Sequence, residues 1–326
     1  MTARPSEDDL IARFFAPMAG PEGLGLLDDA ALLAPPSGAE LVLTQDALVA
    51  GVHFFADDPP AAIARKALRV NLSDLAAKGA EPLGFLLALA LPADWTADWL
   101  EAFANGLGED ARDYQCHLFG GDTVKSTGPL MVSITAIGAV ATGRMARRTG
   151  VQAGDLLYVS GTIGDAALGL KLRLGAALDL TKPHRSFLLD RYLLPQPRTA
   201  LAPAMREFAN AGMDVSDGFV GDLGKMLRVS GVGARIELAR LPLSSAAQAA
   251  IAADPKLFAV AATGGDDYEV LASVAPDKAA AFEEAAARAG VPLTQVGEAI
   301  ARDKGIRFFD RDGEEFAGKS GAYSHF

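Results

Sequence analysis

Apolar positions along this chain follow two periods that alternate. Leu10, Ile11, Phe14 and Phe15 recur at helical spacing and predict a short amphipathic helix over residues 7–18. Residues 41–43 read as a buried strand running into Thr44-Gln45-Asp46. The next helix opens with Asp58 as N-cap and Pro59 in its first turn, and its alanine-rich sequence continues to Lys78-Gly79. Strands are expected over 83–91, 117–119 and 130–140, with a helix over 96–114 between the first two. The second half repeats the alternation. Strands are expected at 156–160, 213–215, 235–238, 268–273, 293–297 and 306–309. Helices are expected at 165–174, 185–193, 200–211, 220–230 and 276–289. Such alternation predicts an α/β or α+β protein.

Polar residues punctuate that pattern in a particular way. Six short aspartate motifs recur, five of them beside a strand-like run or a glycine: Asp28-Asp29, Thr44-Gln45-Asp46, Asn71-Leu72-Ser73-Asp74, Gly120-Gly121-Asp122-Thr123, Asp214-Val215-Ser216-Asp217 and Gly264-Gly265-Asp266-Asp267. A carboxylate at a strand end projects into a crevice, so one shared acidic site is expected. Bare carboxylates brought together repel by about 4 kcal/mol per pair near 4 Å at an effective dielectric of about 20. Metal is therefore required, and an all-oxygen set suits Mg²⁺ completed by substrate phosphates. A Mg²⁺-dependent phosphoryl transfer is the chemistry this pattern points to.

Each motif has a plainer alternative. Asp28-Asp29 and Thr44-Gln45-Asp46 are ordinary turn residues in isolation, and Ser216 or Asp217 would serve as N-cap for the helix near Val220. His53 suits an anionic substrate or a partly buried core. Arg147 and Arg148 suit a phosphate or plain solvent. Asn71, Ser73 and Asp74 are poor helix formers grouped in mid-helix, which propensity does not explain. The run from Gly313 to Gly318-Lys319-Ser320 matches the P-loop letter pattern, but a hairpin turn at Asp310-Arg311-Asp312-Gly313 and the lack of a following helix argue against it.

Length and charge narrow the class further. The 326 residues suffice for two domains, and the arginine-bearing segment 142–154 separates an expected domain over 1–145 from one over 146–326. A net charge of −11 opposes a nucleic-acid partner. Cys116 is the sole cysteine, which excludes internal disulfides. No apolar run is long enough to cross a bilayer and the start lacks signal-peptide order, so no membrane partner and a cytoplasmic location are expected.

Taken in order, the motifs resemble those of the bacterial thiamine-monophosphate kinases across nearly the whole chain. The most specific are Asp28-Asp29-Ala30-Ala31-Leu32-Leu33, Gly51-Val52-His53-Phe54, the helix from Lys66 through Asn71-Leu72-Ser73-Asp74 to Ala77, Gly120-Gly121-Asp122-Thr123 and Asp214-Val215-Ser216-Asp217-Gly218. The resemblance implies the two-domain α/β fold of the aminoimidazole-ribonucleotide synthetase superfamily, with N-terminal sheets pairing across a homodimer. It implies ATP as co-substrate, several Mg²⁺ ions per site and conversion of thiamine phosphate to thiamine diphosphate. On it, Asp29, Thr44, Asp46, Asp74, Asp122, Asp214 and Asp217 match metal-binding positions, with catalysis expected to rest on Asp46, Asp74 and Asp122. Tyr114, Gly121, Asp122, Arg148 and Ser216 match nucleotide contacts, and His53, Asp266 and Tyr323 the thiamine phosphate pocket. The chain departs from the family at Leu27, where Gly is usual, at Gln45 for Thr, at Asp266 for Glu and at Lys78 for Met. With Gln45 the metal ligand at that position would be the backbone carbonyl. A purine-pathway synthetase and an inactive sensor of thiamine phosphate are the competing functions. Selenophosphate synthesis and hydrogenase maturation would want cysteines that this chain lacks.

Overall fold

A computed structural model describes residues 6–310 and 312–316. The chain divides into two compact units, one of residues 1–75 with 80–143 and one of 76–79 with 144–326.

The first unit opens with a single helical run in three windings: α1 (Glu7–Leu10), a π-helical stretch Ile11–Phe15 and a 3₁₀ turn Ala16–Met18. Leu10, Phe14 and Phe15 of the expected stripe are buried, Ile11 is half-buried, and Met18 joins them. Strands β1 (Ala39–Val49), β2 (Glu81–Leu91), β3 (His117–Lys125) and β4 (Met131–Ala141) form one sheet in the order β1-β4-β2-β3. Only β2 and β3 run parallel. Helices α2 (Pro60–Ala77) and α3 (Ala97–Asp113) supply the rest of this unit's core. They approach closely where a Cβ on Gly106 would stand 2.6 Å from the Ala61 Cα. The buried Arg69 and Asp110 pin them, with Nε and Nη2 donating to the two carboxylate oxygens at 2.6 and 2.9 Å. Thr96 caps α3, its hydroxyl accepting from the Trp99 amide at 3.1 Å.

The second unit holds a sheet of β5 (Leu156–Ser160), β6 (Ala209–Asp214), β7 (Gly233–Glu237), β8 (Val270–Val274), β9 (Leu293–Ile300) and β10 (Ile306–Phe309), in the order β10-β7-β9-β5-β8-β6. Its helices are α4 (Asp165–Arg173), α5 (Lys182–Leu193), α6 (Ala202–Phe208), α7 (Phe219–Ser230), α8 (Ser245–Ala253), α9 (Leu257–Thr263) and α10 (Ala279–Arg288). One buried cluster joins α7 to the sheet through Phe219, Leu223 and Leu227 against Leu157, Met213 and Leu271. A second joins α10 and α6 to it through Phe282 and Met205 around Tyr158. Lys78, unusual at its position, donates from Nζ to the Gly212 carbonyl at 2.7 Å and so ties residues 76–79 to β6.

Three sequence expectations change here, the first at 209–211, expected in a helix and found in β6. Thr44-Gln45-Asp46 lies in the middle of β1 and Gly120-Gly121-Asp122-Thr123 inside β3, not in turns after short strands. Full ladders to β4 and β2 carry both motifs through in extended form. The stretch 243–263, where the apolar periods predict no element, forms α8 and α9. The Asp310–Gly313 hairpin is present, with the Gly313 amide donating to Asp310 O at 3.2 Å and a bridge between Phe309 and Glu315. Gly318-Lys319-Ser320 and Tyr323 lie outside the described residues.

Candidate active site

In the first unit the aspartate motifs form two sets on opposite faces of the sheet. Residues paired across a ladder share a face, and successive residues alternate. Thr44 and Asp46 therefore point one way and Gln45 the other. On the α2 side, the Thr44 hydroxyl donates to Asp74 Oδ2. Asp46 lies close enough to Asp74 to feel its charge. Burial, with that charge added, lifts the Asp46 carboxyl from an ordinary 3.8 to about 6. Among the described residues neither carboxylate has a cationic partner. Asn71, one helical turn before Asp74, is fully buried, donating to Ala67 O at 3.0 Å while its Oδ1 has no partner.

The opposite face carries Gln45, whose Nε2 donates to Ser133 Oγ at 3.2 Å, and Asp122, paired in register with Ala88. All of Gln45, Ala88 and Asp122 are exposed. Asp122, Gly120 and Gly121 line a cavity of about 550 Å³ with Asp28, Asp29, Leu86 and Ile137, a volume typical of small-molecule sites. Asp28 Oδ1 accepts from the Asp29 amide at 2.7 Å, which fixes the turn carrying Asp29. Gly121 has no substitute. A Cβ there would stand 1.9 Å from the Leu87 carbonyl oxygen.

His53 and Tyr114 complete the first unit's candidates. His53 Nδ1 accepts from the Val49 amide at 3.0 Å, which places the imidazole proton on Nε2, a donor suited to a phosphate oxygen. Tyr114 closes α3, half-buried, with the Arg69 guanidinium 5.7 Å from its ring centre.

The second unit gathers Asp214, Ser216, Asp217 and Asp266. Asp214 ends β6 and is buried. The Asp266 amide donates to Ser216 O and the Tyr268 amide to Val215 O, both at 2.8 Å, so the two motifs are laced together through their backbones. The plain capping role is not what Ser216 and Asp217 perform. Gly218 is the N-cap of α7 and no side chain caps it. The Asp217 amide donates instead to Asp222 Oδ2 at 2.8 Å. Lys225 Nζ bridges Asp217 and Asp222, the latter at 3.0 Å. Burial pushes the Asp222 carboxyl up, against the pull of Lys225. Arg148 is exposed, with its carbonyl accepting from Ser230 Oγ at 3.1 Å.

Among the described residues no three carboxylate or imidazole side chains converge as a ready metal site, and within the first unit the acids stand on two faces of one sheet. The period of two in β1 and β3 is the physical reason within the first unit. The donor chemistry still fits a hard divalent cation. Thr44, Asp46 and Asp74 offer only oxygen, and burial beside the Asp74 charge leaves Asp46 holding its proton up to about pH 6. The sequence assigns no role to Lys225, whose partners are near in the chain, nor to Glu269, Arg191 and Arg198, whose partners lie 71 and 78 residues apart.

Residues 27–140 match the AIR synthase related protein N-terminal domain family and residues 152–310 the corresponding C-terminal domain family. With an α/β sheet in each unit and acidic motifs on both, the chain is an AIR synthase related protein, of the expected fold. A thiamine-monophosphate kinase of Caulobacter vibrioides is 46% identical over 303 residues, which are 91% of this chain and 85% of that one. The crystal structure of thiamine-monophosphate kinase from Stenotrophomonas maltophilia K279a is 41% identical with a TM-score of 0.81, over 89% of this chain and 91% of that one. AaThiL complexed with AMPPCP and TMP is 31% identical with a TM-score of 0.78, over 92% and 91% respectively. Within the AIR synthase related proteins, the chain belongs to the thiamine-monophosphate kinase family and is an enzyme of that kinase class.

Proposed function

We propose that this chain transfers the γ-phosphoryl group of ATP to thiamine phosphate, releasing thiamine diphosphate and ADP. The observation that carries the proposal is the relative described above, bound to AMPPCP and TMP and alike over nine-tenths of both chains. The attacking phosphate oxygen is already largely anionic near neutrality, with a second pKa of about 6, so no general base is needed. Turnover then rests on in-line positioning and charge neutralisation.

Mg²⁺ held by Thr44, Asp46 and Asp74, and further by Asp29, Asp122, Asp214, Asp217 and the Gln45 carbonyl, would supply that neutralisation. Gly121 lets backbone approach a nucleotide phosphate without a Cβ between. Tyr114, Arg148 and Ser216 are assigned to the nucleotide as well. His53, through its Nε2 proton, and Asp266 and Tyr323 are assigned to thiamine phosphate recognition. The sheet face of the first unit leaves Leu43, Leu86 and Val124 exposed at 63, 39 and 48%. A second copy covering that face is the dimer we assign, through the domain at 1–145, with 146–326 as the other domain. No helix among the described residues is long and apolar enough to cross a membrane.

Incubation with ATP, Mg²⁺ and a panel of phosphate acceptors tests the proposal. ADP should appear with thiamine phosphate alone, and EDTA should stop it. ADP formation driven by an aminoimidazole precursor, or binding of thiamine phosphate without turnover, would assign one of the competing functions instead.

A further inference from the structure

Asp266 stands in a stretch of unusual backbone. Among the described residues only Leu24, Leu26, Gln115, Asp266 and Tyr268 have positive φ without being glycine; Leu24 and Leu26 share one three-residue stretch, and Asp266 and Tyr268, at +71° and +52°, share another. Left-handed backbone at non-glycine residues is strained and persists only where its surroundings over-determine it. The surroundings here are two buried carboxylates interleaved with the strained residues. Asp267 is 1% exposed, and its carboxylate accepts from the Gly164 amide at 2.7 Å and the Ala166 amide at 3.3 Å, at the start of α4. Glu269 is fully buried and accepts from Ser160 Oγ at 2.7 Å, Arg198 Nε at 2.6 Å and Arg191 Nη2 at 3.0 Å. Room for the Glu269–Arg198 pair exists because residue 161 is glycine. A Cβ there would stand 2.1 Å from Glu269 Oε1.

The anchored residues alternate with the displayed ones. Asp266 and Tyr268 are half-buried, with Tyr268 Oη donating toward Asp266 Oδ1 at 3.5 Å, while Asp267 and Glu269 go into the core. Gly265 allows the close crossing onto Ser216 O, which a Cβ would approach to 2.2 Å. Val215 donates its amide to Glu269 O at 2.8 Å, closing the lacing on the far side. Four fixed points thus hold one three-residue stretch. A core needing only stability would not place two buried acids and two arginines around strained backbone, since buried ion pairs gain little over apolar packing.

We infer that Asp267 and Glu269, with Arg191 and Arg198 as clamps, are positioning residues that hold Asp266 against the Asp214–Asp217 motif for thiamine phosphate recognition. The inference rests on the assignment of Asp266 to the thiamine phosphate pocket. Two kinds of measurement on the full-length enzyme separate it from that assignment. Hydrogen exchange at the Asp266 and Tyr268 amides reads the positioning, and the split of KM from kcat reads its use. In Glu269→Gln and Asp267→Asn those two amides should exchange at least tenfold faster while the amides of β9 keep their rates. KM for thiamine phosphate should rise tenfold or more, with kcat and KM for ATP changed less than threefold. Arg198→Lys, which keeps the charge but loses the forked contact, should show the same pattern more weakly. It is the variant to read if the other two do not fold. Unchanged exchange in the folded variants overturns the inference. So does faster exchange with an unchanged KM, if Asp266→Ala raises KM on its own. If Asp266→Ala also leaves KM unchanged, the pocket assignment has failed and the inference falls with it.

Discussion

Asp46 in the first unit and Asp222 in the second are both acids drawn out of solvent with another carboxylate beside them, Asp74 and Asp217. In the second unit Lys225 reaches both partners, and the nearby Glu269 has Arg191 and Arg198. In the first unit the described residues offer Asp46 and Asp74 only the Thr44 hydroxyl, and the Asp46 carboxyl rises to about 6. Asp222 and Glu269, buried and internally compensated, belong to the architecture, while the part-exposed Asp217 stays among the proposed Mg²⁺ ligands. Where charge is not compensated, the site is completed from outside, and a cation arriving with phosphates is the completion proposed. Asp267 likewise spends its carboxylate on helix amides.

The largest effect that could break this comparison is on turnover. Asp74→Asn removes the negative charge that Thr44 orients and should lower kcat at least a thousandfold, about 4 kcal/mol of transition-state stabilisation. The far-ultraviolet circular dichroism should match the parent chain. A folded Asp74→Asn enzyme with more than a tenth of parental kcat would remove the first unit's acids from the chemistry.

Next in size is a stability gain. With Asp46 at about 6 instead of 3.8, the folded chain holds that proton more tightly than the unfolded one. This group therefore costs nothing below about pH 4. Its cost grows as pH rises through the window from about 4 to 6 and reaches about 3 kcal/mol above it. In EDTA, Asp46→Asn should be more stable than the parent by up to that amount at pH 7 and equal to it near pH 4, measured by urea denaturation. Mg²⁺ should close the gap at pH 7 by stabilising the parent alone. A variant less stable than its parent in EDTA would mean that Asp46 has a compensating partner after all.

The legible part of this contrast was local. The start of α3 near Thr96 is set by a cap and an amide only three residues apart, and the burial of Leu10, Phe14 and Phe15 follows from spacing alone. What failed were features decided by distant chain. The ladders that hold 44–46 and 120–123 in mid-strand involve β4 and β2, and only they reveal that Gln45 and Asp122 turn away from Asp46. Helix α8, Ser-Ala-Ala-Gln-Ala-Ala-Ile-Ala-Ala, shows no apolar–polar period because alanine serves either side. In Asp266-Asp267-Tyr268-Glu269 four polar residues look alike on paper. Arg191 and Arg198, 78 and 71 residues earlier, decide that Glu269 goes inside.

The smallest effect is the one that tests the second unit's half of the contrast. Lys225→Met deletes the cation between Asp217 and Asp222, leaving Asp222, whose side chain is 1% exposed, with no positive partner. Breaking a buried pair costs about 3–5 kcal/mol. Lys225 itself is 31% exposed and water reaches it, so about 1–2 kcal/mol is expected, read as a lower urea midpoint in EDTA. The variant should then behave as the first unit does. Two neighbouring carboxylates without a cation should make its stability more dependent on Mg²⁺ than the parent's, so that millimolar Mg²⁺ recovers part of the loss. An equal Mg²⁺-induced rise in midpoint in Lys225→Met and in its parent would show that an uncompensated acid pair does not by itself draw a divalent ion in this protein. The special character of Thr44, Asp46 and Asp74 would then lie in their shared placement on one sheet face, not in their missing charge.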